Sequence, residues 1–321
     1  MQRGKGGIMN KFEYFLTPKQ SELFDMLRGM YSGKCILRKG AYLMVKGDAP
    51  VMLVAHLDTV HKYPVRDICK SKDGDILMSP QGIGGDDRCG VYALASCYER
   101  SKVKPWLLFT CDEETGGKGA QLFANDYTAK RLPKVLKDIK VIIEIDRRGS
   151  DDAVYYDCDN PDLEKYITSK GFKTDYGSFS DICTIAPAMG VAAVNLSSGY
   201  YNAHTEHEYI VKSELMATIG KVCEIIYDAC DPAFPQYEFI ERVYQPTVWK
   251  FKSGWYDYAK YEDDCMIPNS VPDNIRHYYG MLLDWYTVKE LEEYRQDFGD
   301  DAIIQLYKQD IEEWYGQEDV N

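Results

Sequence analysis

The chain has 321 residues, 45% of them hydrophobic, and a formal net charge of −13 at pH 7. That length holds one large domain or two modest ones around a substantial core, and no stretch is apolar for long enough to span a bilayer. The excess of acid argues against nucleic acid and anionic membrane as partners, and bound cations would offset part of it.

The opening Met-Gln-Arg-Gly-Lys-Gly-Gly carries charge without a following apolar run, so no export signal is expected and residues 1–14 read as a disordered lead-in. Ten cysteines are scattered without a Cys-x-x-Cys pair, which makes reduced thiols in a cytoplasm the expectation. Thr17 as a cap and Pro18 at the first helical position predict a helix to about Tyr31, with Leu23, Phe24, Leu27 and Met30 as its apolar face. Cys35–Leu37 and Tyr42–Val45 flank Lys39-Gly40 as a hairpin. Val51–Ala55, Trp106–Thr110 and Val141–Ile145 are continuous apolar runs, the pattern of strands buried on both faces. Helices are predicted from Val91 to Ser101, Gly117 to Asn125, Pro161 to Lys170, Asp181 to Ala188 and Val211 to Ala229, with further strands at Ala153–Tyr156 and Val191–Leu196. Strands alternating with helices predict a three-layer αβα sandwich on a mixed, largely parallel sheet.

Composition changes at Asp231-Pro232-Ala233-Phe234-Pro235. Residues 15–230 are therefore read as one catalytic domain and 231–321 as an acidic, aromatic-rich helical extension packed against it. Two helices are predicted there, Val288–Phe298 with a Thr287-x-x-Glu290 capping box and Asp301–Tyr315.

In open α/β sheets ligands collect beyond the carboxyl ends of the strands. Here those ends carry His56-Leu57-Asp58, then Asp112-Glu113-Glu114, then Asp146-Arg147-Arg148, and His204 through Glu208 follows the last strand. A fifth cluster, Asp86-Asp87, lies in a glycine-rich turn before a helix. Each has an ordinary explanation alone: a surface His–Asp pair, a solvated Glu-Glu turn, or carboxylates favoured at a helix start. Five at one sheet edge do not. His56, Asp86, Glu114, Asp146 and His204 offer two imidazoles and three carboxylates, more than one tetrahedral zinc needs and enough for two ions sharing a carboxylate. Without thiolate the set suits Zn²⁺, with Mn²⁺ or Co²⁺ also compatible. Asp58, two residues beyond His56 on an extended chain, can accept the free imidazole N–H and so support catalysis.

The order His-x-Asp, Asp-Asp-Arg-x-Gly, Glu-Glu-x-Gly, Asp and His is similar to that of the di-zinc exopeptidase superfamily, which includes tripeptidases, carboxypeptidase G-like enzymes, and glutamyl and leucyl aminopeptidases. The resemblance spans roughly residues 15–230. It implies that Asp86 bridges two metals, that His56 and Asp146 hold one and Glu114 and His204 the other, and that Glu113 is the general base. It also implies a cis bond between Asp86 and Asp87. The short separations from His56 to Asp86 and from Asp146 to His204 leave no room for the lid or inserted domains of that superfamily, so a monomer or weak oligomer acting on small peptides is expected. Arg147, Arg148 and Asp87 are candidates for substrate contact, against plain charge balancing for the arginines. Two alternatives stay open: an N-acyl amino acid amidase with the same metals, and a metal-bearing interaction protein that uses the aromatic tail. No Gly-x-Ser-x-Gly elbow supports a serine nucleophile.

Overall fold

A computed structural model describes residues 12–177, 179–242, 268, 270–282, 286 and 288–307. The chain divides into two compact units at Arg242 and Val243. The first contains, in chain order, α1 (Glu13–Leu16), α2 (Gln20–Met30), β1 (Cys35–Arg38), β2 (Tyr42–Val45), β3 (Val51–His56), β4 (Cys69–Lys70), β5 (Ile76–Met78) and α3 (Gly85–Arg100). It continues with β6 (Trp106–Thr110), α4 (Lys118–Thr128), β7 (Val141–Arg147), β8 (Asp152–Val154), α5 (Pro161–Ser169), β9 (Lys173–Asp175) and α6 (Ile182–Met189). β10 (Ala193–Ser197), β11 (Tyr200–Tyr201), β12 (Tyr209–Val211) and α7 (Lys212–Ala229) complete it.

Eight strands form one sheet in the order β1-β2-β6-β3-β7-β10-β8-β9. The centre, β6-β3-β7-β10, is parallel, while β2 joins β6 and β8 joins β10 antiparallel. The apolar runs read as doubly buried strands are these central ones. Alternate residues of β3 serve opposite faces: Leu53 and Ala55 join the core beneath α3 and α7, Met52 and Val54 the core beneath α4 and α6. That is the three-layer αβα sandwich with its mixed sheet. A second, antiparallel sheet, β11-β12-β5-β4, was not foreseen. Its strands are two or three residues long, and Ile76 and Met78 of β5 lie on its exposed side, so no buried run marks them.

Several boundaries differ from expectation, and three of them have a plain cause in the packing. Thr17 and Pro18 do not open α2; Lys19 precedes it, and Glu22 accepts the Lys19 N–H at 3.0 Å, an N-terminal donor otherwise left over. Residues 12–14 are not lead-in, because Phe12 and Phe15 pack on Tyr92 with ring centroids 4.8 and 5.5 Å away. Residues 1–11 lie outside the described residues. The break at 231 moves to 242, since Tyr237 is buried against Phe234 and Tyr166 and Glu238 bridges to Val191.

The second unit holds α8 (Asp273–Leu282), α9 (Val288–Phe298) and α10 (Asp300–Tyr307). Val271, Ile275, Tyr279, Leu282, Leu291 and Ile303 are its small core. α8 was not anticipated, while α9 has its expected bounds. Thr287 of the capping box and everything beyond residue 307 lie outside the described residues. No helix among the described residues is long and apolar enough to cross a membrane.

α3 lies against β3 and β7 and carries the Asp pair to the sheet edge. Gly90 makes this approach possible: a Cβ there would stand 2.2 Å from the Ile145 carbonyl oxygen and 2.5 Å from both Asp87 carboxylate oxygens. Gly90→Ala is therefore expected to cost about 1–3 kcal/mol of stability, read from the denaturant midpoint, with metal affinity falling alongside as Asp86 shifts. An unchanged midpoint would show that the helix has slack at this point.

Candidate metal centre

Parallel neighbours β3, β6 and β7 end side by side, so His56, the turn 112–114 and Asp146 meet at one edge. The start of α3 and the loop after β11 bring Asp86 and His204 to them. Asp86 departs from helical geometry at φ −79°, ψ 103°, and its bond to Asp87 is cis as expected. Its carboxylate offers one oxygen to each imidazole: Oδ1 lies 3.0 Å from His56 Nε2 and Oδ2 3.3 Å from His204 Nε2. Glu114 Oε2 is 3.2 Å from His204 Nε2, and Asp146 Oδ1 is 3.7 Å from His56 Nε2. The structure thus brings all five expected ligands together, three of them (Asp86, Glu114, His204) with donor atoms within 4.8 Å of one another. Two further sets satisfy the same measure, His56–Glu113–Glu114 and His56–Asp87–Asp146.

The donor set fits divalent cations. Buried Glu114 Oε1 has no hydrogen-bond partner, a cost that a cation would remove. Burial, with Asp146, Asp181 and Glu114 adding to it against the pull of His56, pushes the Glu113 carboxyl up to about 9. Burial and Asp86 push Asp146 up to about 7. Burial disfavours the imidazolium of His56, yet Asp146, Asp58 and Asp86 outweigh it and hold its pKa well above the usual value. Hydrogen bonds to Asp86 and Glu114 raise His204 to about 11. Burial and mutual repulsion among so many carboxylates favour the protonated form of some of them.

Asp58 lies 3.4 Å from His56 Nδ1 and accepts the N–H groups of Glu113 and Glu114 at 3.1 and 3.0 Å. One carboxylate faces both the His56 imidazole and the turn that presents the two glutamates. Glu113 Oε2 is 4.0 Å from His56 Nε2, inside the cluster but outside the Asp86–Glu114–His204 trio.

The substrate candidates fare differently. Asp87 is fully buried, and its oxygens accept Gly90 N–H at 2.8 Å and His56 N–H at 3.2 Å. It caps the regular part of α3, so the ordinary explanation for an Asp at a helix start holds for Asp87 while Asp86 turns to the centre. Arg147 Nη2 pairs with Asp175 Oδ2 at 2.5 Å, tying β7 to the end of β9. Arg148 is exposed.

Sequence reasoning missed three acids. Glu208 is fully buried and accepts Gly84 N–H at 2.8 Å and Asp86 N–H at 2.9 Å, with His61 Nε2 at 2.8 Å. Its spacing of four from His204 was visible, but its partners are distant in sequence. Glu144 and Asp181 are also fully buried, taking the hydroxyls of Ser180 and Thr110. The signal for Glu144 was an acid inside the apolar run Val141–Ile145, while Asp181 stood only at the start of a predicted helix. Glu208→Gln keeps the size but turns an amide donor toward backbone donors. It is expected to lower zinc affinity about 10–100-fold with the circular dichroism spectrum unchanged; wild-type affinity in a chelator competition would refute the role.

No protein-family model matches the sequence, and no curated protein matches it. Solved structures do. The chain shares its fold with solved tripeptidase and aminopeptidase structures. A tripeptidase from Staphylococcus aureus is 15% identical with a TM-score of 0.53, covering 70% of this chain and 98% of its own. Aminopeptidase PepT from Bacillus cereus is 13% identical with a TM-score of 0.53, covering 71% and 99%. A TET aminopeptidase from a marine sediment archaeon, Thaumarchaeota archaeon SCGC AB-539-E09, is 13% identical with a TM-score of 0.54, covering 68% and 96%.

Proposed function

We propose that this protein is a metal-dependent hydrolase that removes a terminal residue from small peptides. The observation that carries the reading is the Asp86 carboxylate set between two imidazoles, one oxygen to each, with Asp146 and Glu114 flanking. His56, Asp86 and Asp146 would hold one divalent cation, and Asp86, Glu114 and His204 a second, with zinc the best match to the donors. Two such cations supply an acidified water and polarise the scissile carbonyl. Glu113, whose Oε2 lies 4.0 Å from His56 Nε2 at the edge of the cluster, would take the proton of that water and return it to the leaving amine. Asp58 keeps His56 and the Glu113–Glu114 turn in register while this happens. Between Asp146 and His204 the chain builds β8, α5, β9, α6, β10 and β11, all short core or edge elements. With no domain inserted between these residues, short peptides are the expected substrates and a monomer the expected state.

The test is metal analysis followed by a panel of aminoacyl chromogenic substrates, dipeptides, tripeptides and N-acyl amino acids. Two equivalents of metal and terminal cleavage of short peptides are expected. Cleavage confined to N-acyl amino acids would make the protein an amidase. Tight metal without turnover of anything in the panel would leave a binding protein.

A further inference from the structure

A cavity of about 230 Å³ opens between the start of α2 and the loops 59–65 and 82–84. Its walls are chain neighbours of the metal centre. Thr59 follows Asp58, and Gly84 precedes Asp86 by two residues. Gln20 donates to Asp112 Oδ1 at 2.8 Å and accepts Asp112 N–H at 3.0 Å, beside Glu113. In a chain of net charge −13 the lining is cationic: Lys19, Lys62 and Arg88, with no Asp or Glu among the described lining residues. Lys19 and Lys62 are exposed at the rim, and Arg88, 4% exposed, lies deep.

We propose that this cavity is a carboxylate subsite, in which Arg88, Lys19 and Lys62 hold a free carboxylate of the peptide whose bond lies at the metal centre. Arg88 is the structural argument. Its Nη1 donates to the Phe15 carbonyl at 3.3 Å, and the 4% of the residue left exposed lies on the cavity wall. A planar, charged guanidinium at the base of a cavity with no acid in its described lining suits a carboxylate. A guanidinium keeps its charge at neutral pH. The volume is below that of drug-sized pockets and admits a carboxylate with a few methylenes. The carboxylate has two possible sources, the C-terminus of a short peptide or an acidic side chain, and the same chemistry recognises both.

The assignment rests on the hydrolase reading, and the experiment separates the two. Calorimetry on the zinc-loaded full chain compares glutarate with uncharged glutaramide, in wild type, Lys62→Ala and Lys19→Ala/Lys62→Ala. Glutarate is expected to bind at least about tenfold more tightly than glutaramide, and the double variant to lose most of that difference. Glutarate affinity unchanged in both variants would mean that it sits on the metals alone and would overturn the subsite. Kinetics then compare kcat/KM for peptides against their C-terminal amides, and for Asp and Glu peptides against Asn and Gln counterparts. A preference for the acid that shrinks in the double variant identifies the source, main chain or side chain. No preference in either pair overturns the role in substrate binding. No turnover of any peptide overturns the hydrolase reading instead, while calorimetry still decides the cavity.

Discussion

Glu113→Ala is expected to keep two metals and near wild-type stability while kcat falls about 10²–10⁴-fold. Its neighbour should behave otherwise. Glu114→Ala is expected to lose metal, stability and activity together. The two side chains share identity, adjacency and an anchor, since Asp58 binds both backbone N–H groups. They differ in surroundings. Glu114 Oε2 stands 3.2 Å from His204 Nε2 within the set of donors that includes Asp86, whereas Glu113 Oε2 approaches no closer than 4.0 Å to His56 Nε2. Removing a ligand strips a charge from the ion; removing the base leaves the ions held and the water without a proton acceptor. Metal analysis, thermal melting and kinetics on the two variants side by side decide the matter. A metal-free Glu113→Ala protein, or a fully active Glu114→Ala protein with two ions, would exchange or abolish the roles.

The second large effect concerns the protein freed of metal by chelation. Its stability is expected to fall as pH rises from about 5 to 9, by about 3 kcal/mol or roughly 6–12 °C in Tm. The sign follows from the groups. Glu113 is raised from 4.5 to about 9 and Asp146 from 3.8 to about 7. A raised carboxyl contributes stability that is complete below its unfolded pKa and lost as pH climbs through the folded value. His56 and His204, also raised, act in the same direction from about 6.5 upward. Asp86 and Asp58 are lowered, and their contribution disappears only in acid below this window. With metal restored, the cations replace the protons, and the decline between pH 5 and 9 should vanish. Melting curves at several pH values, with zinc and with chelator, test this. A metal-free protein as stable at pH 9 as at pH 5 would mean that the carboxylates are solvated and the cluster is looser than the structure has it.

The central sheet, and the edge at which the five candidate ligands gather, were legible in the amino-acid sequence because the signals are local. A strand buried on both faces must be apolar at every position, and Val51–Ala55, Trp106–Thr110 and Val141–Ile145 are. A parallel sheet puts the ends of such strands together, so His56, Glu114 and Asp146 could be placed in one site from their distance to the nearest apolar run. What depends on partners remote in sequence was decided by the tertiary structure alone. Asp86 and Asp87 are chemically alike, and only the packing of α3 against β7 at Gly90 turns one to the centre and the other to the helix cap. That Arg147 meets Asp175 depends on β9, a strand the sequence did not mark. Glu208 acquires a role when the loop 202–208 folds back over Gly84 and Asp86, and Arg88 when α1 comes to rest across it at Phe15. Apolar periodicity encodes which face is buried; which polar group meets which is set by chain segments that approach only in the folded state.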